Sequence, residues 1–197
     1  MPAPHLILAS ISASRKAMLH NAGVAFEAMP SNVDEAALKS GVSGPPAALA
    51  SALALAKANA VSAHHPQALV IGADQLLVCG DKVYDKPRNL AEAAAHLRAL
   101  SGSTHHLVTA ACLVQGGQQQ WLQVEQANLT MRALSDSFLA SYLAAEAAEI
   151  LHCVGAYRLE GLGAQLFTRI EGDYFTVLGL PLLALLGALR ARGVLAA

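Results

Sequence analysis

Charged side chains are scarce in this chain of 197 residues: Asp, Glu, Lys and Arg make up 14% of it, against 54% hydrophobic residues. So much apolar material can build a substantial core, and we predict a single domain over residues 1–197. The net charge of −1 lacks the basic surplus of proteins that bind nucleic acid polymers, so no such partner is expected. A small anionic substrate stays possible, because a few local cations can bind it.

Cysteine pairs and long hydrophobic runs are also missing. The three cysteines, Cys79, Cys112 and Cys153, form no CxxC motif, which favours a reduced cytosolic protein over a disulfide framework. The residues after Met1 do not resemble a signal peptide. The most apolar stretch, 177–189, is shorter than the roughly 20 residues that a membrane helix needs. We therefore expect a cytoplasmic protein without a membrane partner.

The glycine-rich fingerprints of common nucleotide-binding proteins do not occur. Neither GxxxxGK[ST] nor GxGxxG is found in the sequence, which excludes a standard P-loop or dinucleotide-binding motif. A nucleotide would then have to be held by cationic side chains and a metal ion.

Strand-like and helix-like segments alternate, which predicts an α/β domain around a mixed sheet. Residues 151–177 are rich in glycine and β-formers and are predicted as strands joined by tight turns. The segment 68–80 is predicted as one buried strand, or as two strands broken near Gly72. The other predicted strands are 5–9, 24–29, 82–86, 104–114 and 121–132, and the predicted helices are 15–21, 47–63, 87–100, 135–145 and a last one begun by Pro181.

A turn rich in hydroxyls and cations separates the first predicted strand from the first helix. A helix N-terminus offers unpaired N–H donors and a favourable dipole, so this junction suits an anion. The arginine adds a planar fork that matches phosphate oxygens. The alternative is ordinary N-capping by Ser12 or Ser14 with solvated cations. The turn contains Ser10, Ser12, Ser14, Arg15 and Lys16.

Asp74 is a carboxylate inside an apolar run, where it is costly unless it is paired, bound to a metal or open to a cleft. Two lysines, Lys57 and Lys86, could serve a phosphate, although either could instead extend from the surface. Glu35, and with it Asp34, could join Asp74 as a ligand of a hard cation. Together these residues indicate metal-assisted phosphate chemistry.

With these motifs, the sequence resembles the Maf (septum-formation) family of nucleoside triphosphate pyrophosphatases over nearly the full length of the chain. Many landmarks in the right order carry the resemblance, and their order is more specific than any one of them. The landmarks are Leu8-Ala-Ser-x-Ser12 with Arg15, Val33-Asp-Glu35, Lys57, Gly72-Ala-Asp-Gln75, Lys86-Pro87, Leu100-Ser-Gly102 with Thr109, Gly155-Ala-Tyr157 and Gly179-Leu-Pro181.

The resemblance implies hydrolysis of a nucleoside triphosphate to the monophosphate and diphosphate with Mg²⁺ or Mn²⁺. It implies a Maf/ITPase-like fold: a mixed, twisted sheet flanked by helices, with two lobes around a central cleft, in a homodimer. Asp74 then matches the proton acceptor and, with Glu35, the metal site. Arg15, Lys57 and Lys86 match the phosphate-contacting cations of the family, and Ser10, Ser12 and Lys16 of the serine-rich turn complete the predicted phosphate site.

Substrate choice in the family tracks three positions, which here are Ser14, Gln75 and Glu160. The branch acting on dTTP and UTP usually has Arg, Thr and Gln there, and the 7-methyl-GTP branch has Trp, Gln and Glu. Gln75 and Glu160 resemble the second branch, and a carboxylate can accept hydrogen bonds from a guanine edge. Ser14 matches neither branch and removes an aromatic platform. Pyrimidine preference, or a regulator of cell division without catalysis, are the alternatives.

Overall fold

The computed structural model describes residues 5–147 and 149–196, and within them seven strands form one mixed sheet. The order is β2-β1-β3-β5-β6-β7, with β4 paired to β3. The strands are β1 Leu6–Leu8, β2 Glu27–Ala28, β3 Leu69–Cys79, β4 Lys82–Tyr84, β5 Thr104–Gln115, β6 Gln118–Met131 and β7 Phe167–Glu171. The α-helices are α1 Ala13–Asn21, α2 Glu35–Gly41, α3 Pro46–Ser62, α4 Leu90–Leu100, α5 Asp136–Glu146, α6 Tyr174–Val177 and α7 Leu182–Arg190.

The chain divides into two compact units, in keeping with the two predicted lobes. The first unit contains residues 1–75, 109–125 and 174–197, and the second contains 76–108 and 126–173. Strands β3, β5 and β6 each pass from one unit into the other along the chain.

In the first unit, β1 is parallel to both β2 and β3, with Ile7 opposite Glu27 and Val70. All three residues of β1 are buried, as expected for a parallel strand covered on both faces. Helices α1 and α7 contribute Leu19 and Leu185 to the same core, and both side chains are fully buried. This core fixes the carboxyl end of β1, where the serine-rich turn begins.

In the second unit, β3 pairs with β4 and β6 with β7, both antiparallel. Its core includes a buried histidine: His105 Nε2 lies 2.8 Å from the Tyr157 hydroxyl, and the His105 ring also contacts Phe167. Burial lowers the pKa of His105 to about 4, with a smaller contribution from His106. His105 is therefore a neutral core residue at physiological pH.

The structure differs from the predicted secondary structure in one region and settles two further points. Residues 151–177 hold one strand, β7, together with α6 and short 3-10 helices, rather than strands joined by turns. Its glycines and β-formers misled the prediction, because Gly155, with φ of 76°, serves a tight helical turn instead of a strand boundary. Helix α2 was not predicted, and β3 is one continuous strand through Gly72.

In the segments 5–147 and 149–196, no helix is both long and apolar enough to cross a membrane.

Candidate functional site

A buried lysine pairs with two carboxylates in the first unit. Lys57 Nζ lies 2.5 Å from Asp74 Oδ1 and 2.8 Å from Glu35 Oε1. The side chains of Lys57 and Asp74 are 9% and 8% exposed, whereas Glu35 is 46% exposed. The ammonium group of Lys57 compensates the negative charge of Asp74 inside the apolar strand β3, and a buried carboxylate requires such a partner. The alternative of a lysine extending from the surface is therefore wrong for Lys57.

Gly72 allows the lysine to reach Asp74. A Cβ atom at Gly72 would overlap the backbone oxygen of Ala54 and lie 2.8 Å from the Cβ of Ala58. Helix α3 therefore packs directly against the backbone of β3, one turn from Lys57. Small alanines on the facing side of α3 make the same close approach possible.

Glu35 is presented by the first turn of α2. Asp34 caps this helix, because its side chain accepts a hydrogen bond from the backbone N–H of Ala37 at 3.0 Å. Asp34 thus has a structural role, and the carboxylate that contacts Lys57 is that of Glu35.

The serine-rich turn both caps α1 and holds a guanidinium. Ser12 accepts from the backbone N–H of Arg15 at 3.5 Å, and the Ser12 and Ser14 hydroxyls are 3.0 Å apart. The Arg15 Nε donates to the backbone oxygen of Gly179 at 2.8 Å, and Nη1 donates to Ser10 Oγ at 3.5 Å. Capping and anion binding are therefore compatible here, because the cap orders the turn that carries Arg15.

The charge of Arg15 belongs to the same cluster as the carboxylates. Burial lowers the pKa of Arg15, and the charges of Asp74 and Glu35 oppose that effect. Arginine keeps its proton in proteins despite such a shift. Lys16, the next residue, is exposed on α1.

Gln75, the residue after Asp74, is held by a network of hydrogen bonds. Its Nε2 donates to Thr109 Oγ1 and to the backbone oxygen of Thr176, both at 2.9 Å, and it lies 3.1 Å from the backbone oxygen of Val177. Thr109 also donates to the Thr176 oxygen at 3.0 Å, and the Thr176 hydroxyl donates to Glu125 at 2.7 Å. This network fixes one predicted specificity residue.

Lys86 and Glu160, two further predicted site residues, lie in the second unit, and both are exposed. The charges of both act on one thiol there, that of Cys153. Burial raises the pKa of Cys153 to about 11, Glu160 adds to that effect, and Arg158 and Lys86 oppose it. The charges of the predicted phosphate-binding lysine and of the predicted specificity carboxylate thus both act on this thiol.

The carboxylate oxygens of Glu35 and Asp74 are of the chemical type that a hard cation prefers. Over the described ranges 5–147 and 149–196, no group of three or more His, Cys, Asp or Glu residues could hold a metal ion. Mg²⁺ is commonly held by one or two carboxylates, substrate phosphates and water. Glu35 and Asp74, which both contact Lys57, are the residues that would hold such an ion together with phosphate and water.

Sequence reasoning identified the charged groups but missed the residues that hold them. Arg15, Lys57, Asp74 and Glu35 are all brought together in the first unit. The additional residues are Thr109, Glu125, Thr176 and Gly179. Thr109 and Gly179 were part of the landmark pattern, yet nothing in that pattern gives them a role, since a buried threonine in a strand is usually a packing residue.

The fold and this cluster define an α/β protein that pairs a buried acid with two cations and a serine-rich turn suited to anions. The protein-family model described as "Maf-like protein" matches residues 5–192 of the chain. The chain belongs to the Maf family.

Several curated relatives are similar over almost their whole length. The chain is 50% identical to "7-methyl-GTP pyrophosphatase" of Rhizobium etli over 195 residues, covering 98% of each chain. It is 52% identical to the protein of the same name from Rhizobium meliloti, again covering 98% of each. It is 49% identical to "Nucleoside triphosphate pyrophosphatase" of Nitrobacter hamburgensis, covering 96% of this chain and 95% of the relative.

Proposed function

We propose that this protein is an enzyme that hydrolyses a nucleoside triphosphate to the monophosphate and diphosphate, with a modified purine nucleotide such as 7-methyl-GTP as substrate. The observation that carries the proposal is the buried Lys57–Asp74 pair, extended by Glu35 and Arg15. Relatives at about half identity bear the names of such enzymes. A house-cleaning role, the removal of unwanted nucleotides, follows from that chemistry.

The balance of charge in the cluster favours a divalent cation with the substrate. Arg15 and Lys57 contribute two positive charges, and Asp74 and Glu35 contribute two negative ones, so the four side chains are together neutral. A triphosphate adds several negative charges to this neutral group. Mg²⁺ or Mn²⁺ held by Glu35 and Asp74 would neutralise phosphate charge during the reaction.

Lys57 has one donor to spare for the substrate. An ammonium group has three N–H donors, and Lys57 directs two of them to Asp74 and Glu35. The third is available to a phosphate oxygen. Arg15 has further N–H groups beyond those that reach Gly179 and Ser10, and Lys16 and Ser12 extend the anion-binding turn.

In the proposed reaction, Asp74 takes a proton from the attacking water. The water oxygen bonds to the α-phosphorus, the bond from that phosphorus to the α–β bridging oxygen breaks, and diphosphate leaves with the bonding electrons. Lys57 contacts Asp74 through Oδ1, so the other carboxylate oxygen can receive the proton. Arg15 and Lys57 stabilise the charge of the leaving diphosphate, the main electrostatic demand of phosphoryl transfer.

Gln75 and Glu160 are the residues that favour a guanine base over a pyrimidine. Both match the pattern of the 7-methyl-GTP branch, and each offers an oxygen acceptor to the donors of a guanine edge. Ser14 supplies no ring to stack on the base, so the preference would rest on hydrogen bonds. Activity on dTTP and UTP is the competing substrate assignment.

A nucleotide panel tests both the activity and the substrate. Release of diphosphate from 7-methyl-GTP, GTP, dTTP and UTP would be measured in Mg²⁺ and in Mn²⁺. A reaction that contains a metal chelator would test whether the activity needs metal. The highest kcat/KM is expected for 7-methyl-GTP. Preference for dTTP and UTP would reject the purine assignment, and nucleotide binding without hydrolysis in any metal would favour the non-catalytic regulator.

Asp74→Asn tests the catalytic assignment. The amide cannot accept the proton, so turnover should fall by roughly 10²- to 10⁴-fold while nucleotide binding, measured by calorimetry, stays largely intact. Asp136→Asn is the matched control, because Asp136 is an exposed residue of α5. Equal turnover of the Asp74 variant and the wild type would remove Asp74 from the role of base.

We also propose that the enzyme acts in the cytoplasm as a homodimer. Three free cysteines and the resemblance to the family support this proposal. Light scattering of the purified protein would give the mass that tests the dimer.

A further inference from the structure

Three hydrogen-bond acceptors lie close to the side-chain nitrogen of Gln75. Nε2 lies within 3.1 Å of three oxygens, those of the Thr109 hydroxyl and of the Thr176 and Val177 backbone. The Thr109 hydroxyl gives its single hydrogen to the Thr176 oxygen, so towards Gln75 it can only accept. The two hydrogens of the amide nitrogen thus face acceptors alone.

This arrangement allows one orientation of the amide. A flipped Gln75 would place its oxygen against two carbonyl oxygens, neither of which has a hydrogen to give. Such a flip would exchange hydrogen bonds for repulsion between buried dipoles. The Gln75 nitrogen is therefore committed to the protein, and only the oxygen remains for a ligand.

The oxygen of Gln75 lies towards a position without a side chain. A Cβ atom placed on Gly179 would be 3.7 Å from Gln75 Oε1 and 3.6 Å from Arg15 Nε. The φ angle of Gly179 is 101°, a backbone conformation that favours glycine. Any side chain at this position would therefore contact both Arg15 and the Gln75 oxygen.

We propose that Thr109 is a positioning residue that, together with the backbone oxygens of Thr176 and Val177, fixes Gln75 as a hydrogen-bond acceptor for an N–H group of the nucleobase. The inference rests on the proposed function, because it takes the ligand beside Arg15 to be a nucleotide. Thr176 completes the arrangement through its backbone oxygen, and the bond from its hydroxyl to Glu125 anchors that part of the chain. Gln75 then selects bases that have an N–H donor and rejects bases that have acceptors only.

Two variants at one position separate positioning from packing. Thr109→Val keeps the shape of the buried side chain but removes its hydroxyl, whereas Thr109→Ser keeps the hydroxyl. Thr104→Val is the control, since it removes a threonine hydroxyl from the same strand, where Thr104 is exposed and lies 2.9 Å from Thr130. Thermal unfolding of each variant would establish that it folds.

The kinetic measurement compares GTP with purine riboside triphosphate, whose base has no N–H donor. The ratio of their kcat/KM values should fall about fivefold in Thr109→Val, as expected for one displaced hydrogen bond, mainly through KM for GTP. The ratio should stay near that of the wild type in Thr109→Ser and Thr104→Val. An unchanged ratio in Thr109→Val, or an equal loss in Thr109→Ser, would overturn the proposal.

A measurement without turnover separates this inference from the proposed function. In ¹⁵N-labelled protein, the side-chain amide signal of Gln75, assigned by its loss in Gln75→Met, should exchange slowly with water in the wild type and faster in Thr109→Val. Fast exchange in the wild type would refute the orientation even if the protein hydrolyses nucleotides. Slow exchange together with no hydrolysis of any nucleotide would reject the proposed function and leave the orientation of Gln75 standing.

Discussion

Replacement of Lys57 by methionine should cost more stability than any other single change in the charged cluster. Methionine keeps most of the length and apolar surface of the lysine but leaves Asp74 as a buried charge without its closest partner. The Asp74 side chain is only 8% exposed, so water cannot take over the role of the ammonium group. Glu35, at 46% exposed, can be solvated when the lysine is lost.

The size of the effect follows from this burial. Removal of one partner of a buried ion pair costs about 3–5 kcal/mol in unfolding free energy. The charge of Arg15 also acts on Asp74, which places the expected loss near the lower end, at about 3 kcal/mol. Asp74→Asn should cost less, because Lys57 keeps its contact with Glu35, and we expect about 1–2 kcal/mol.

A double-mutant cycle measured by urea denaturation tests the reasoning. The double variant Lys57→Met/Asp74→Asn has no buried charge left at the pair, so it should be more stable than Lys57→Met alone, with a coupling energy of about 2 kcal/mol. Arg169→Met is the control, since it breaks an exposed pair with Glu171 and should leave stability nearly unchanged. If the two single losses simply add, the pair does not compensate charge in the way the structure indicates.

Three further predictions concern the surroundings of this cluster. Gly72→Ala should push α3 away from β3, which should lower the unfolding free energy by about 1–3 kcal/mol and reduce turnover. Calorimetry would measure the stability and a diphosphate assay the turnover, and an unchanged value of both would contradict the prediction. The neutral state of His105 is favoured by folding, so stability should fall as the pH drops from about 6.5 towards its folded pKa of about 4, by at most about 3 kcal/mol. His105→Phe should flatten that dependence in thermal unfolding, and an equal slope in both proteins would count against the assignment. Burial raises the pKa of the Cys112 thiol to about 12, so Cys112 should react with iodoacetamide at pH 8 only after unfolding, as mass spectrometry of the labelled peptide would reveal.

The parts of the fold with a regular hydrophobic pattern could be predicted from the sequence. Helices α3 and α4 and the long strands β3 and β5 were expected within a few residues of their observed bounds. The region 151–177 could not, because its short 3-10 helices depend on contacts such as that of Gly155 with Leu77, where a Cβ would lie too close. Helix α2 was missed because it has no buried residue and hence no apolar face to reveal it.

The site shows the same division between local pattern and tertiary contact. Asp74 and Lys57 stand out in the sequence because each charge interrupts an apolar segment. The contact between them depends on the close approach of a helix to a strand at Gly72, which sequence spacing does not give. The roles of Thr109 and Gly179 depend on hydrogen bonds to distant residues, so no local signal could assign them.

The link between Arg15 and Gly179 joins residues 164 positions apart, and this has a consequence for biosynthesis. The chain as far as Gly179 must leave the ribosome before the Arg15 guanidinium meets its backbone acceptor, and the same segment supplies the carbonyl groups for Gln75. A nascent chain that ends before Tyr174 therefore carries every charged residue of the cluster in an unfinished site. Catalytic competence is therefore expected only after residues 174–179 have been synthesised.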